Sequence, residues 1–196
     1  AATESSLDTV YWNPDPSFVD VDSSIPGGDD NASGESINAP VKSFERALWL
    51  VQPNGTIICM SQCSDTYYGD GNTGGYAFDG KNATVKRWGR YPSGAIFDVS
   101  TGIDLKLSNL TLSNDFENGG APTTDSVVSL AGGTLTAGAG LALGGPVYFE
   151  QRPESAGILF TEKPVTPYAV KFAPGAGGFT SAFDAANTGA VMTAET

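Results

Sequence analysis

Ile103-Asp104-Leu105-Lys106-Leu107-Ser108-Asn109-Leu110-Thr111-Leu112 decides the fold class. Apolar and polar residues alternate along it, the period-two signature of a strand with one buried face. Asn109 stands between two apolar pairs. The stretch 132–143, Gly-Gly-Thr-Leu-Thr-Ala-Gly-Ala-Gly-Leu-Ala-Leu, repeats the pattern with small residues where the chain must bend. From Gly55 onward the apolar runs stay short: Thr56–Met60, Ala83–Trp88, Ala95–Val99, Val127–Leu130, Val147–Phe149, Gly157–Phe160 and Tyr168–Val170. Gly, Asn, Asp and Pro separate them. Many short strands at close spacing read as all-β, with sandwich, barrel and β-solenoid as the choices.

Tight corners and stacked apolar interiors favour the solenoid. The expected fold is a short right-handed parallel β-helix in a single domain. A β-sandwich is the alternative. It would need antiparallel hairpins, yet the Asn-Gly dipeptide at Asn54-Gly55 follows a helical pattern rather than a strand. In that pattern Val41, Phe44, Leu48 and Val51 form one apolar stripe. Pro40 suits a first turn and Pro53-Asn54-Gly55 a stop. An amphipathic helix over 39–53 would cap the raw end of a solenoid, with Tyr11 and Trp12 packed beneath it. Residues 1–38 read as a strand, Thr9–Trp12, a second strand candidate, Phe18–Val21, and an acidic loop. Residues 54–145 read as the rungs, and 146–196 as a last rung with an irregular, Pro-interrupted cap.

The chain has 196 residues, a formal charge of −12 and no histidine. That acidity leaves no electrostatic means of holding a phosphate backbone, so nucleic acid is not an expected partner. Without imidazole, His-dependent triads and metal sites are excluded. No apolar run approaches the about 18 residues of a membrane span. Charged residues make up 16%, against about 25% in ordinary soluble domains. Cys59 and Cys63 are the only cysteines. On one extended strand their Cα atoms would lie about 13 Å apart, beyond the about 7 Å limit for a disulfide. They pair only if the chain turns at Ser61-Gln62; otherwise Cys59 is a small buried thiol and Cys63 a solvent-side one.

Asp29-Asp30-Asn31, Pro40-Val41-Lys42-Ser43-Phe44 with Ala47, and Gly55-Thr56-Ile57-Ile58-Cys59 resemble the opening of right-handed parallel β-helix modules. Such modules occur in large bacterial surface proteins and in pectin-lyase-like folds. Asn82–Arg87, Ala95–Val99 and Leu105–Leu112 are similar to that family's first two rungs. The resemblance covers roughly residues 9–143. It implies a pectin-lyase-like architecture and an extracellular setting, on the surface of a Gram-positive bacterium or secreted, within a larger multidomain chain.

Catalysis is not expected. Enzymes of that fold cleave acidic polysaccharides with calcium-held carboxylates and a basic residue, or with clustered Asp. Here basic residues gather only at Lys81, Lys86, Arg87 and Arg90, and no paired carboxylates stand on consecutive rungs at hydrolytic separation. Binding is the leading expectation. Tyr67, Tyr68, Arg87, Trp88, Arg90 and Tyr91 fall in one short segment. Rigid aromatic faces and guanidinium forks are the usual makings of a recognition patch. The expected partner is a host glycoprotein of mucin or immunoglobulin type, or a polysaccharide. The alternatives are a structural stalk that spaces an adhesive domain from the wall, and a polysaccharide lyase.

Asp20, Asp22, Asp29, Asp30 and Asn31, with Glu35, gather oxygen ligands in a loop, the donor set calcium takes. They match no known calcium-loop spacing, and the competing reading is a turn whose side chains cap their own backbone. Four Asn-x-Ser/Thr triplets begin at Asn31, Asn54, Asn82 and Asn109. They carry no meaning in a bacterial protein, and Asn109 is expected inside a rung or an asparagine ladder.

Overall fold

The computed structural model describes residues 3–14, 26–60, 74–88, 96–100, 103–117, 126–131, 134–137, 140–144, 147–151, 157–160, 169–172 and 191–194. Twelve strands and one helix lie among them: β1 (Leu7–Trp12), α1 (Phe44–Leu50), β2 (Val51–Cys59), β3 (Gly74–Arg87), β4 (Phe97–Ser100), β5 (Ile103–Phe116), β6 (Ser126–Ala131), β7 (Thr134–Ala137), β8 (Leu141–Gly144), β9 (Val147–Gln151), β10 (Gly157–Phe160), β11 (Ala169–Phe172) and β12 (Val191–Ala194).

The strands form two sheets. The first runs β1-β2-β3-β5-β7-β10, with β8 beside β7 on the second half of β5; the other runs β4-β6-β9-β11-β12. Every ladder among the described residues is parallel. A sandwich of antiparallel hairpins is therefore overturned. From β3 to β11 the chain passes back and forth between the sheets, staying in the first only from β7 to β8, and from β5 to β11 each strand lands beside a strand two or three elements earlier. Four strands beyond residue 146 join these ladders in parallel, more than the single last rung expected from the Pro-broken sequence.

The register repeats. Thr84 pairs with Thr56, 28 residues before it, and Leu110 with Ala83, 27 before. Leu141 pairs with Leu110, 31 before. Just ahead of these pairs the backbone turns through the left-handed region: φ is 64° at Asn54, 58° at Asn82, 50° at Asn109 and 72° at Gly140. Four successive levels thus share one corner. Asn is the non-glycine residue that tolerates this conformation best. At Gly140, itself at φ 72°, a Cβ would displace the Asn109 side-chain oxygen, so glycine suits the position above that asparagine. The Asn109 amide in turn donates to Asp79 Oδ1 at 3.3 Å.

Alternation sets the burial. Ile57, Ala83, Val85, Leu105, Leu107, Leu110 and Leu112 point between the sheets into one core with Val10, Trp12, Phe44 and Phe97. The Phe44 ring sits 5.0 Å from Trp12, and 5.2 Å from both Phe78 and Phe97. Trp12 lies under the helix as expected, its indole N–H on the Lys42 carbonyl at 3.0 Å. Tyr11 does not: one residue on in a strand faces the other side.

α1 is shorter than the 39–53 read from the apolar stripe. Ser43 is its N-cap, accepting from the Arg46 N–H at 3.0 Å. Val51 is already extended. Pro53-Asn54-Gly55 lies inside β2, where Asn54 makes the corner rather than a helix stop. Lys81 reaches across from β3, its ammonium donating to Val51 O at 3.2 Å, Trp49 O at 3.4 Å and Ser5 Oγ at 2.9 Å. A cation on these carbonyls replaces the basic last turn that α1 lacks.

The loop 26–43 covers the outer edge of β1. Tyr11 N–H donates to Gly34 O at 2.9 Å, Val41 N–H to Tyr11 O at 2.9 Å, and Asn13 N–H to Val41 O at 2.8 Å. Edge groups that would otherwise pair with another chain are thereby occupied. No helix among the described residues is long and apolar enough to cross a membrane.

Candidate functional site

On the outer face of the first sheet, in-register pairing lines up Thr9, Thr56, Thr84 and Thr111 on β1, β2, β3 and β5. Each is partly exposed; Thr56, Thr84 and Thr111 stand between buried neighbours, and Thr9 precedes buried Val10. Their hydroxyls have no hydrogen-bond partner among the described residues. Parallel strands lie about 4.8 Å apart, so the row spans about 14 Å. The next outward row holds Tyr11, Ile58 and Lys86.

Glu117 completes the arrangement. Its N–H donates to Arg87 O at 2.9 Å, which continues the parallel β3–β5 pairing of Arg87 with Phe116 by one residue. The Tyr11 hydroxyl donates to Glu117 Oε2 at 3.2 Å. Burial, then the nearby Glu117 charge and this hydrogen bond, raise the Tyr11 phenol above its ordinary pKa of 10.0. Thr9, Tyr11, Thr56, Ile58, Lys86 and Glu117 line a cleft of about 250 Å³. Behind it Ile58, Met60 and Trp88 form a small second core with Tyr11 and Ile37.

A second cleft of about 270 Å³ lies at the helix, lined by Asp30, Ser43, Glu45, Arg46 and Trp49. Trp49 is 38% exposed, with the Arg46 guanidinium stacked over its ring at 4.2 Å. Arg46 Nε is buried there without a hydrogen-bond partner among the described residues.

The residues expected from sequence fare differently. Tyr67, Tyr68, Arg90 and Tyr91 lie outside the described residues, as do Asp20, Asp22 and Cys63. Arg87 and Trp88 are described, and both are buried, at 4% and 7% exposure. They are therefore corrected from open recognition surface to packing. Arg87 falls in line with inward-facing Val85, and Trp88 packs on Ile58 and Met60. Asp29 Oδ1 accepts the Asn31 N–H at 2.9 Å. Asp30 Oδ1 accepts the N–H groups of Lys42 and Ser43 at 2.9 and 2.8 Å. These carboxylates cap backbone, the competing reading for this loop. No group of three or more Cys, Asp and Glu side chains gathers at metal-binding distance among the described residues. Cys59 is buried in the main core, at 5% exposure.

Sequence reasoning missed the threonine row, Tyr11, Lys86 and Glu117 as a group. A signal was present: three of the four Asn-x-Thr/Ser triplets are the same corner repeated, Asn at the bend and Thr two residues on, facing out.

No protein-family model matches the chain, and no curated protein or solved structure matches it either.

Proposed function

We propose that this chain is a non-catalytic binding module with a parallel β-helix, pectin-lyase-like architecture, and that it binds glycan on the outer face of its first sheet. What supports the architecture is the all-parallel pairing, the shuttling between two sheets and the corner repeated every 27–31 residues. Crossovers between parallel strands are right-handed in about 98% of cases, which favours the right-handed form. The family resemblance of the sequence supports a secreted or bacterial cell-surface setting.

One observation carries the binding assignment: a cleft floored by sheet, with an aromatic ring, the hydroxyls of Thr9 and Thr56, which have no hydrogen-bond partner among the described residues, and one residue of each charge. Such a lining of apolar faces with a few placed polar groups suits a sugar ring, on free polysaccharide or host glycoprotein. The single carboxylate there, Glu117, already accepts from Tyr11, which argues against paired-carboxylate chemistry.

The test is binding to an array of polysaccharides and mucin-type glycoproteins by the chain and its Tyr11→Ala and Lys86→Ala variants. Folding is checked by thermal unfolding. Saturable binding that drops about tenfold or more in folded Tyr11→Ala supports the site, that being the range of an aromatic anchor. Binding unchanged in both folded variants overturns it. No binding to any glycan returns the chain to the stalk reading, which a stiff stack of parallel rungs also suits.

A further inference from the structure

Tyr11 and Glu117 stand on opposite sides of a four-strand stretch. Tyr11 is on β1, Glu117 follows β5, and β2 and β3 lie between them. Three strand spacings, about 14 Å, separate the two strands. The Tyr11 hydroxyl still donates to Glu117 Oε2 at 3.2 Å. The two side chains therefore reach toward each other across the outer face, past Ile58 and Lys86, which are in register with Tyr11. Glu117 is held to Tyr11 and not to Lys86: no ion pair joins the two charges among the described residues.

Local structure puts the Glu117 carboxylate there. Between the pairs Val85–Leu112 and Arg87–Phe116, β5 carries two more residues than β3. An excess of one would turn every later side chain to the opposite face; an excess of two preserves the facing. Phe116 thus stays buried opposite buried Arg87, and Glu117 emerges on the outer side. The Ser113 hydroxyl closes the bulge by accepting the Asp115 N–H at 3.0 Å. The Glu117 N–H on Arg87 O then fixes the backbone from which the carboxylate extends. At the other end, Ile58, Met60 and Trp88 pack against the body of the Tyr11 ring and leave its hydroxyl to Glu117.

Resting on the glycan reading above, we infer that Glu117 is a positioning residue of the cleft: its carboxylate, placed by the β5 bulge, holds the Tyr11 ring as a fixed wall against which a sugar packs. A ring ordered before binding loses less entropy on binding. Glu117 acts through Tyr11 and not on the sugar.

The experiment has two arms. Without ligand, the Tyr11 phenol is titrated by the ultraviolet absorbance of tyrosinate, with Tyr11→Phe subtracted to isolate that residue. In Glu117→Ala it ionises at lower pH than in the wild type, because the neighbouring charge and acceptor are gone. Burial of the ring and Lys86, the cation of the same cleft, remain. With ligand, the probes are immobilised mucin and the polysaccharide array. Glu117→Ala and Tyr11→Phe each weaken binding about two- to tenfold, the range of one hydrogen bond. The double variant loses no more than either single change. Glu117→Gln, whose amide oxygen still accepts, recovers most of the loss. Thermal unfolding checks that each variant is folded.

Additive losses place Glu117 on the sugar itself and overturn the positioning role. So do full affinity in folded Glu117→Ala and a Glu117→Gln as weak as Glu117→Ala. The glycan reading survives all three. An unmoved phenol titration overturns the tie between the two side chains. Should Glu117→Ala not fold, full affinity in Tyr11→Phe overturns the positioning role by itself. A blank on mucin and on every polysaccharide overturns the glycan reading, and the positioning role with it, even where the phenol titration shifts.

Discussion

Asp30→Ala is the perturbation that separates a capping loop from a calcium loop. The Asp30 carboxylate takes two backbone N–H groups, from Lys42 and Ser43, just ahead of the Ser43 N-cap. Each such bond contributes about 0.5–1.5 kcal/mol net. Asp30 is exposed, so water replaces part of what alanine removes. The expected loss is about 1–2 kcal/mol, within the range for losing a helix cap. For a chain of this size that lowers the midpoint by about 2–8 °C. Asp30→Asn keeps one acceptor oxygen and costs less than half as much. Urea unfolding followed by tryptophan fluorescence reads the change, because Trp12 and Trp88 are buried and Trp49 sits beside Asp30 in the helix cleft. The loss is the same in calcium and in chelator. Two results refute the reasoning: a loss below about 0.3 kcal/mol, or a calcium-dependent rise in wild-type stability that Asp30→Ala abolishes.

Three further predictions rest on other parts of the molecule. Phe44→Ala removes the ring that meets Trp12, Phe78 and Phe97, and should cost about 3–5 kcal/mol in urea unfolding. Asn109→Ala places a Cβ-bearing residue without a side-chain hydrogen bond at φ 50°. It should cost about 1–2 kcal/mol, and Asn109→Gly should recover most of that; equal losses would point to the Asp79 hydrogen bond rather than the corner. Tyr11 is held neutral in the folded state beyond its ordinary pKa of 10.0. The folded state therefore keeps that proton longer than the unfolded chain does. The Tyr11 contribution is complete below pH 10 and is lost as pH rises through the folded-state pKa, a dependence that Tyr11→Phe should flatten in alkaline unfolding curves.

Much of the architecture was legible because strand alternation is local. Ile103–Leu112 reads correctly as inward and outward residues, and Trp12 and Cys59 fall in the core where the pattern puts them. The helix end was misread for a physical reason. Val51 continues the apolar stripe in sequence, but a strand partner, Leu7, claims it, and Asn54-Gly55 turns the strand corner. Arg87 and Trp88 looked like surface because charge and aromatic rings read as hot spots. Nothing in the sequence says that Ile58 and Met60, about 30 residues earlier, form a second core against Trp88. The candidate site was hidden because its members come from four strands, joined only by register. The repeat of Asn-x-Thr at 54, 82 and 109 held that register in plain view, disguised as glycosylation triplets.

The closed edge of β1 gives the fold a direction. With Gly34 and Val41 bonded to Tyr11 and Asn13, a further strand can add at that end of β1 only by displacing the loop 26–43. A level laid down ahead of β1 must first break these bonds, a cost that duplication of an internal level does not carry.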